Sequence, residues 1–222
     1  KPVGTESQAV HSFAPDMVSE IKKHIHRLST ENGGKLVEDY VGVIHRLDKP
    51  VSGVMVYAKT KRAAAALSEQ VQSHKMKKIY TAVVHGRPLD AVDNYVDYLV
   101  KTPDGNYSQV VDKGITGAKK AELSYEVLKT IDGKIAGMPE TELSLVRISL
   151  KTGRHHQIRV QMAGAGAPLW GDNKYNPEFV NKRGYFPIAL RAFRLSFCHP
   201  TTGKRMEFEV PCNWEQLETK AD

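Results

Sequence analysis

Residues 193–197 read Phe-Arg-Leu-Ser-Phe and residues 206–210 read Met-Glu-Phe-Glu-Val, so both segments alternate apolar and polar side chains. Successive side chains of a β-strand point to opposite faces of the sheet. The alternation therefore predicts two strands, each with one buried face and one solvated face. Turn-forming residues at 200–204 separate the segments, which is typical of antiparallel neighbours. An antiparallel sheet is thus the first element that the sequence indicates.

Further regular elements are predicted outward from this pair. Runs rich in β-branched and aromatic residues predict strands over residues 53–58, 79–84, 121–129, 142–150 and 157–162. Apolar residues at helical spacing predict one helix from an N-cap at Asp16 to about Leu28, and another over residues 61–74. Together these elements indicate one α+β domain over residues 1–222, with a large, mainly antiparallel sheet flanked by helices and loops.

The composition indicates a folded domain with a basic surface. The 222 residues include 32 Lys and Arg against 25 Asp and Glu, a formal net charge of +7. This surplus fits a polyanionic partner, either nucleic acid or an anionic membrane, and it also fits a role in solubility alone. No segment approaches the ~20 apolar residues of a membrane span. The chain begins at Lys1 without a signal peptide, so we expect it to start inside a longer protein.

Cysteine usage and missing motifs exclude several classes of site. Cys198 and Cys212 are the only cysteines, and neither belongs to a CxxC pair. A thiolate zinc site and a disulfide scaffold are therefore not expected. The phosphate-binding loop of nucleotide hydrolases, the zinc-deaminase signature and the serine-nucleophile elbow are also absent from the sequence.

Residues 45–53 read His-Arg-Leu-Asp-Lys-Pro-Val-Ser-Gly and place a single carboxylate, that of Asp48, among basic side chains. Pro50 restricts Lys49 to extended conformations. If residues 46–48 are extended as well, Arg46 and Asp48 project to the same side. The neighbouring cations favour the charged form of the carboxylate. An ionised, positioned carboxylate can act as a nucleophile or a general base. The same pattern also fits a loop ion pair that only fixes a turn.

Residues 151–162 read Lys-Thr-Gly-Arg-His-His-Gln-Ile-Arg-Val-Gln-Met, and they alternate from Gln157 onward. A strand here would place Gln157, Arg159 and Gln161 on one face and three apolar residues on the other. That polar face is a row of hydrogen-bond donors suited to an anion, a nucleobase edge or a carboxylate. It also fits an ordinary solvated strand face. The two adjacent histidines would point to opposite faces, so they are not expected to share a metal ion.

A basic segment follows the second predicted helix. Lys75, Lys77 and Lys78 precede Tyr80, the first aromatic residue of the next predicted strand. Basic groups around an aromatic ring suit a surface that stacks on bases and holds phosphates. Lysines at this place also complement the dipole at the carboxyl end of a helix, so the segment has a purely structural interpretation as well.

Six motifs lie in order along almost the whole chain. They are KPxG at residues 1–4, HRLDxxxSG at 45–53, K-x-Y at 78–80, GRxHQIRV at 153–160, PxxGDxxY at 168–175 and LxAxxLxFxHPxxG at 190–203. This set, in this order, resembles the RluA-type family of RNA pseudouridine synthases. The sequence departs from the family pattern at residues 155, 161–162 and 176. None of these departures falls on Asp48, so the resemblance predicts the chemistry and leaves the choice of RNA target open.

The resemblance implies the pseudouridine synthase fold, with a central RNA-binding cleft, and isomerisation of uridines in ribosomal or transfer RNA. It implies Asp48 as the nucleophile or base, Tyr80 stacked on the uracil, and Arg159 paired with Asp48. Arg46 would help to flip the target base out of its stack. No cofactor and no metal are implied, because the reaction neither oxidises nor hydrolyses its substrate.

The remaining expectations concern partners and alternatives. Lys75, Lys77, Lys78 and Arg154 are expected to contact RNA phosphates, and the protein is expected to be a cytoplasmic monomer without membrane contact. No S4-like RNA-binding domain is expected within residues 1–222. The main alternative is an inactive RNA-binding module of the same fold. A structural ribosome-associated protein is another, and a glycoside hydrolase would need a second acid tied to Asp48.

Overall fold

The computed structural model describes residues 1–9, 16–31, 40–132, 142–184, 186–211 and 214 of the chain. The chain divides into two compact units. Unit 1 is drawn from residues 1–77 and 194–210, and unit 2 from residues 78–193 and 211–222. None of the helices in the described ranges has the length and apolar character needed to span a bilayer.

The described residues form four helices and ten strands. The helices are α1 Met17–Glu31, α2 Lys61–Gln72, α3 Gln157–Gly164 and α4 Pro177–Val180. The strands are β1 Gly42–Val43, β2 Ser52–Gly53, β3 Tyr57–Ala58, β4 Lys77–His85, β5 Val92–Lys101, β6 Ser108–Val111, β7 Lys119–Asp132, β8 Glu142–Leu150, β9 Leu190–Cys198 and β10 Arg205–Glu209.

Both predicted helices are present in unit 1, and each begins at an N-cap side chain. Asp16 Oδ1 accepts a hydrogen bond from the Ser19 N–H at 2.7 Å, and Thr60 Oγ1 accepts one from the Ala63 N–H at 3.1 Å. These bonds satisfy amide groups that the first helical turn leaves without partners. Leu67 of α2 is 2% exposed and anchors the apolar cluster of unit 1, whose other buried members are Ala58, Met76, Leu195 and Phe197.

The alternating segments that opened the sequence form an antiparallel pair in unit 1. Residues 194–198 of β9 pair with β10, and Phe197 lies opposite Met206. Leu195 and Phe197 are buried as predicted, whereas Phe208 of β10 is 44% exposed. The predicted buried face is therefore confirmed for β9. In β10 the corresponding apolar face is only partly buried.

Unit 2 is built on a row of antiparallel strands. β8 pairs with both β4 and β7, β7 pairs with β5, and β5 pairs with β6. Tyr80 of β4 and Tyr125 of β7 both lie opposite Ile148 of β8, which is wholly buried. One apolar cluster of this unit joins Val83, Ile131, Leu143, Leu145 and Ala189. The predicted α+β class with a mainly antiparallel sheet is confirmed.

One strand prediction needs correction, and other strands were missed. The predicted strand over residues 53–58 is interrupted, because only its two ends belong to strands, β2 and β3. β5 and β6 were not predicted. β5 carries Asp93, Asn94 and Asp97, which are residue types depleted in strands, and β6 is too short to show an alternation.

The prediction of a strand over residues 157–162 is wrong, because this segment forms the first part of α3. The Val160 N–H donates to the carbonyl four residues earlier at 3.0 Å, which is the bond of an α-helix. All six side chains are at most 6% exposed. Gln157 and Gln161 lie one turn apart on one side of the helix, and Arg159 lies on another. The predicted solvent-facing row of donors therefore does not exist.

Candidate active site

The loop around Asp48 is a turn anchored by buried apolar side chains. The Val51 N–H donates to the Asp48 carbonyl at 3.0 Å and closes the turn. Leu47 and Val51 are 6% and 2% exposed, while the Asp48 side chain itself is partly exposed. Burial on both sides fixes the backbone that carries the carboxylate and leaves that carboxylate within reach of solvent.

Lys1 is attached to both ends of this loop. Its backbone nitrogen donates to the Gly53 carbonyl at 2.7 Å, and the Gly53 N–H donates back to the Lys1 carbonyl at 3.0 Å. Its ammonium donates to the carbonyls of Thr5 at 2.7 Å and Lys49 at 3.1 Å. Burial lowers the pKa of Lys1 to about 8, and the negative charge of Asp48 opposes that shift. The KPxG motif thus holds the Asp48 loop, a role that the sequence alone did not reveal.

Arg46, predicted to displace the target base, is exposed in unit 1. One of its terminal nitrogens donates to Gln8 Oε1 at 2.8 Å. The guanidinium therefore already has a defined orientation in the RNA-free protein. Because the bond lies at the surface, an incoming nucleotide can replace it at little cost.

Arg159, predicted to pair with Asp48, forms a bidentate ion pair with Asp172 in unit 2. Both side chains are buried, and the guanidinium lies 5.3 Å from the centre of the Tyr175 ring. Asp172 Oδ1 also accepts the backbone N–H of Lys174 at 2.9 Å. Asp172 belongs to the PxxGDxxY motif, to which the sequence alone assigned no function. The predicted pairing of Arg159 with Asp48 stays a prediction.

A second polar group surrounds the start of α3. The Ser108 N–H donates to the Tyr175 hydroxyl oxygen at 2.7 Å, and that hydroxyl lies 2.8 Å from His156 Nδ1. Burial, followed by the nearby charge of Arg159, lowers the pKa of His156 to about 2. The ring is therefore neutral, and its Nδ1 can accept the hydroxyl proton. These hydrogen bonds connect β6, the start of α3 and the segment that contains Asp172 and Tyr175.

The two adjacent histidines, expected on opposite faces of a strand, lie face to face instead. The ring centres of His155 and His156 are 3.8 Å apart, because His156 has a positive φ of 53° at the start of the helix. Within the described ranges, no group of three or more His, Cys, Asp and Glu side chains is arranged to hold a metal ion.

Tyr80 and the predicted phosphate contacts differ in exposure. Tyr80 is 6% exposed in the middle of β4, so its ring belongs largely to the interior of unit 2. Lys75 and Lys77 are exposed in unit 1. Arg154 is exposed in unit 2, and its Nε donates to the Lys120 carbonyl at 2.8 Å. Anchoring at Nε leaves the orientation of the Arg154 guanidinium well defined.

Lys78 is a buried lysine at 8% exposure. In the part of the chain that the structure describes, its ammonium makes no hydrogen bond or ion pair. Burial, and secondly the positive charge of Arg154, lower the pKa of Lys78. Gly153 leaves room for the ammonium, since a Cβ at this position would lie 3.3 Å from Lys78 Nζ. The Lys78 amine and the Arg154 guanidinium therefore interact electrostatically within unit 2.

Comparison with known sequences identifies the family. A sequence model of the RNA pseudouridylate synthase family matches residues 1–164, which include Asp48, Tyr80 and Arg159. The chain belongs to this family. The resemblance to RluA-type pseudouridine synthases drawn from the motifs is confirmed.

Individual pseudouridine synthases are similar over most of the chain. The uncharacterized RNA pseudouridine synthase YlyB of Bacillus subtilis is 38% identical over 177 residues, which are 77% of this chain and 52% of YlyB. tRNA pseudouridine synthase C of Vibrio parahaemolyticus is 31% identical over 199 residues, 83% of this chain and 78% of that protein. Ribosomal large subunit pseudouridine synthase D of Neisseria meningitidis serogroup A is 38% identical over 181 residues, 77% of this chain and 45% of that protein.

Solved pseudouridine synthase structures share the fold. Human RNA Pseudouridylate Synthase Domain Containing 4 superposes with a TM-score of 0.71 at 22% identity, covering 95% of this chain and 83% of the human chain. This likeness confirms the predicted pseudouridine synthase fold. The chain spans about half the length of YlyB and of the Neisseria synthase, at 52% and 45%.

Proposed function

We propose that this chain is the catalytic part of an RNA pseudouridine synthase. The observation that carries the proposal is the Asp48 turn, which lies within the family match and presents one partly exposed carboxylate from a backbone fixed by buried neighbours. A carboxylate held in this way is suited to nucleophilic or general base catalysis. Names of rRNA and tRNA synthases among the relatives support the same reaction class.

The proposed reaction rearranges one nucleoside without a net change in atoms. The bond from N1 of uracil to C1′ of the ribose breaks, the base turns, and C5 bonds to C1′. C5 then loses a proton, and N1 takes one up. Asp48 acts on the uridine as nucleophile or base, and Tyr80 contacts the base and assists proton removal from C5.

Arg159 and Arg46 have supporting roles in this proposal. Arg159 keeps Asp48 ionised and oriented through charge-assisted hydrogen bonds, and its own guanidinium plane is fixed by Asp172. Arg46 enters the space that the extruded base leaves. Extrusion costs a few kcal/mol, which new stacking and filling of the gap offset.

RNA binding is assigned to four basic residues, Lys75, Lys77, Lys78 and Arg154. Exposure of Lys75, Lys77 and Arg154 supports this assignment, because exposed cations can replace counterions on RNA phosphates. Lys78 has no anionic partner among the described residues, and a phosphate would supply one. We infer that the substrate is ribosomal or transfer RNA and that the protein acts as a monomer in the cytoplasm.

Tritium release from [5-³H]uridine-labelled RNA tests the proposal, because pseudouridine formation removes the hydrogen at C5. The full-length protein should release tritium from ribosomal or transfer RNA, whereas Asp48→Asn should release none above background. Asp90→Asn, which changes an exposed carboxylate in unit 2, is the matched control and should keep wild-type release. RNA binding without release by the wild type would favour the inactive-module alternative. Equal release by Asp48→Asn would contradict the role of Asp48.

A further inference from the structure

Residues 6–8 run beside residues 46–49 in the opposite direction. Gln8 Oε1 accepts a hydrogen bond from Arg46 at 2.8 Å, and Glu6 Oε1 lies 3.5 Å from Lys49 Nζ. Between them, the side chain of Ser7 bonds to the backbone of Leu47. The contacts therefore fall on both sides of Asp48 along the chain. Ser7 lies outside the KPxG motif, and the sequence assigned it no role.

The Ser7 hydroxyl satisfies both main-chain groups of one residue. It donates to the Leu47 carbonyl at 2.9 Å and accepts the Leu47 N–H at 3.0 Å. Ser7 and Leu47 are 4% and 6% exposed, so water cannot readily replace either bond. The Ser7 side chain thus supplies the two hydrogen bonds that a neighbouring strand would otherwise make to Leu47.

The two bonds act on the peptide groups that carry the proposed catalytic side chains. The N–H of Leu47 belongs to the peptide plane shared with Arg46, and its carbonyl belongs to the plane shared with Asp48. Peptide groups are planar, so fixing one atom of each plane restricts the backbone on both sides of Leu47. The second plane contains the Cα of Asp48, so it constrains the position from which the carboxylate projects.

Ser7 is itself held from several directions. The Tyr57 hydroxyl donates to the Ser7 carbonyl at 3.0 Å, and burial raises the pKa of Tyr57 to about 12, so this donor keeps its proton. Asp16 Oδ2 accepts the Ala9 N–H at 2.5 Å, and the Met17 N–H donates to the Glu6 carbonyl at 3.0 Å. The N-cap of α1 therefore also fixes the segment that holds the Asp48 loop.

We propose that Ser7 is a positioning residue for the reaction: its hydroxyl holds the peptide planes on either side of Leu47 and so sets the angle at which Asp48 meets the uridine. This inference rests on the proposed function. It assigns Ser7 no contact with RNA. Loss of the hydroxyl should therefore slow the chemical step and leave RNA affinity unchanged.

An isosteric pair of variants separates the hydroxyl from packing. Ser7→Thr and Ser7→Val have nearly the same shape, but only Thr keeps the hydroxyl. Misplacement of a catalytic group by about 1 Å can cost roughly 100-fold in rate. With enzyme in excess over labelled ribosomal and transfer RNA, we expect Ser7→Val to release tritium about 30- to 100-fold more slowly than Ser7→Thr. Filter binding should give the same RNA affinity for both.

A second buried serine controls for stability alone. Ser144 is fully buried in unit 2, and its hydroxyl donates to the Gly86 carbonyl at 2.9 Å. Ser144→Ala and Ser7→Ala each remove one buried hydroxyl, and thermal melting reports the folded fraction of both. We expect only Ser7→Ala to slow release per folded molecule. If Ser7→Val does not fold, the release rate of Ser7→Ala is compared with that of Ser7→Thr instead.

The outcomes are distinct. Equal rates for Ser7→Val and Ser7→Thr would overturn the positioning role while leaving the proposed function intact. A slowing shared by Ser7→Ala and Ser144→Ala would also overturn it, because the effect would then be one of general stability. Absence of release by the wild type would contradict the proposed function, and the role of Ser7 with it.

Discussion

Arg159 and Asp172 form a bidentate ion pair in which both side chains are almost completely buried. Arg159 Nε lies 2.8 Å from Asp172 Oδ2, and Nη2 lies 2.6 Å from Oδ1. The exposed fractions of the two side chains are 3% and 0%. Two parallel hydrogen bonds fix the plane of the guanidinium as well as balance its charge. Asp172 is therefore the residue that orients Arg159 within unit 2.

Replacing Asp172 by Asn should destabilise the fold strongly. The substitution leaves the buried Arg159 guanidinium uncompensated, which typically costs about 3–5 kcal/mol of unfolding free energy. Glu126→Gln is the matched control, since Glu126 pairs with Arg147 at a partly exposed site where such a loss costs about 1 kcal/mol or less. Urea denaturation measures both. Similar losses for the two variants would contradict a special role for the buried pair.

Sequence patterns predicted structure well where a segment has one buried and one solvated face. β9 alternates because Leu195 and Phe197 pack inward, while Arg194 and Cys198 are partly or fully exposed. Ser196, which lies between the two apolar residues, is the exception, since it is buried. The starts of α1 and α2 were predicted equally well, and Asp16 caps α1 through a local bond to its own first turn. Both signals depend only on residues close together in the chain.

The pattern failed for α3 because its first six residues, 157–162, are all buried. Polar side chains in it do not mark a solvated face: Gln161, 1% exposed, donates to Asp97 at 2.7 Å. Val160 packs against Leu99 and Ala121 in the sheet of unit 2. The alternation over residues 157–162 therefore predicted a strand wrongly, because the interior of unit 2 accommodates both the polar and the apolar side chains of this segment.

The part of the candidate site that lies in one continuous motif could be predicted from the sequence. Asp48 stands out as one carboxylate among cations within residues 45–49. Asp172 and Ser7 act through contacts that cross 13 and 40 residues of chain, on Arg159 and Leu47 respectively. Only the folded arrangement shows such contacts, because no short-range pattern encodes them.

Acid should destabilise the protein through His156. The pKa of this buried ring is about 2 in the folded protein, against 6.5 ordinarily. Between pH 7 and pH 5 the native ring stays neutral while the unfolded ring gains a proton, so the unfolded state binds more protons. The unfolding free energy should therefore fall as the pH falls, by about 2 kcal/mol at pH 5 from this group.

Urea denaturation at several pH values isolates the His156 contribution. His156→Asn is the comparison, because Asn tolerates the positive φ of 53° at this position and does not titrate. The variant should lose stability less steeply than the wild type between pH 7 and pH 5. Parallel curves for the two proteins would show that His156 protonates equally in the folded and unfolded states.

Neutralising Lys75 and Lys77 should weaken RNA binding and reduce its salt dependence. Each phosphate contact contributes about 0.7–0.9 to the slope of log affinity against log salt, so the double Gln variant should lower that slope by about 1.4–1.8. Filter binding at several salt concentrations measures the slope. Lys22→Gln with Lys23→Gln, two exposed lysines of α1, is the control and should not change it. An unchanged slope for Lys75 and Lys77 would remove them from the interface.

Raising the pH above about 8 should affect activity and stability in opposite directions through Lys1. Its folded-state pKa is about 8, against 10.5 ordinarily, so between these values the native amine is neutral while the unfolded one stays protonated. The unfolding free energy should rise with pH across this window. The rate of tritium release should fall there, because the lost proton removes a positive charge that acts on Asp48 and weakens the bond to the Lys49 carbonyl. Lys1→Met should show neither trend; matching pH profiles for the two proteins would contradict this role.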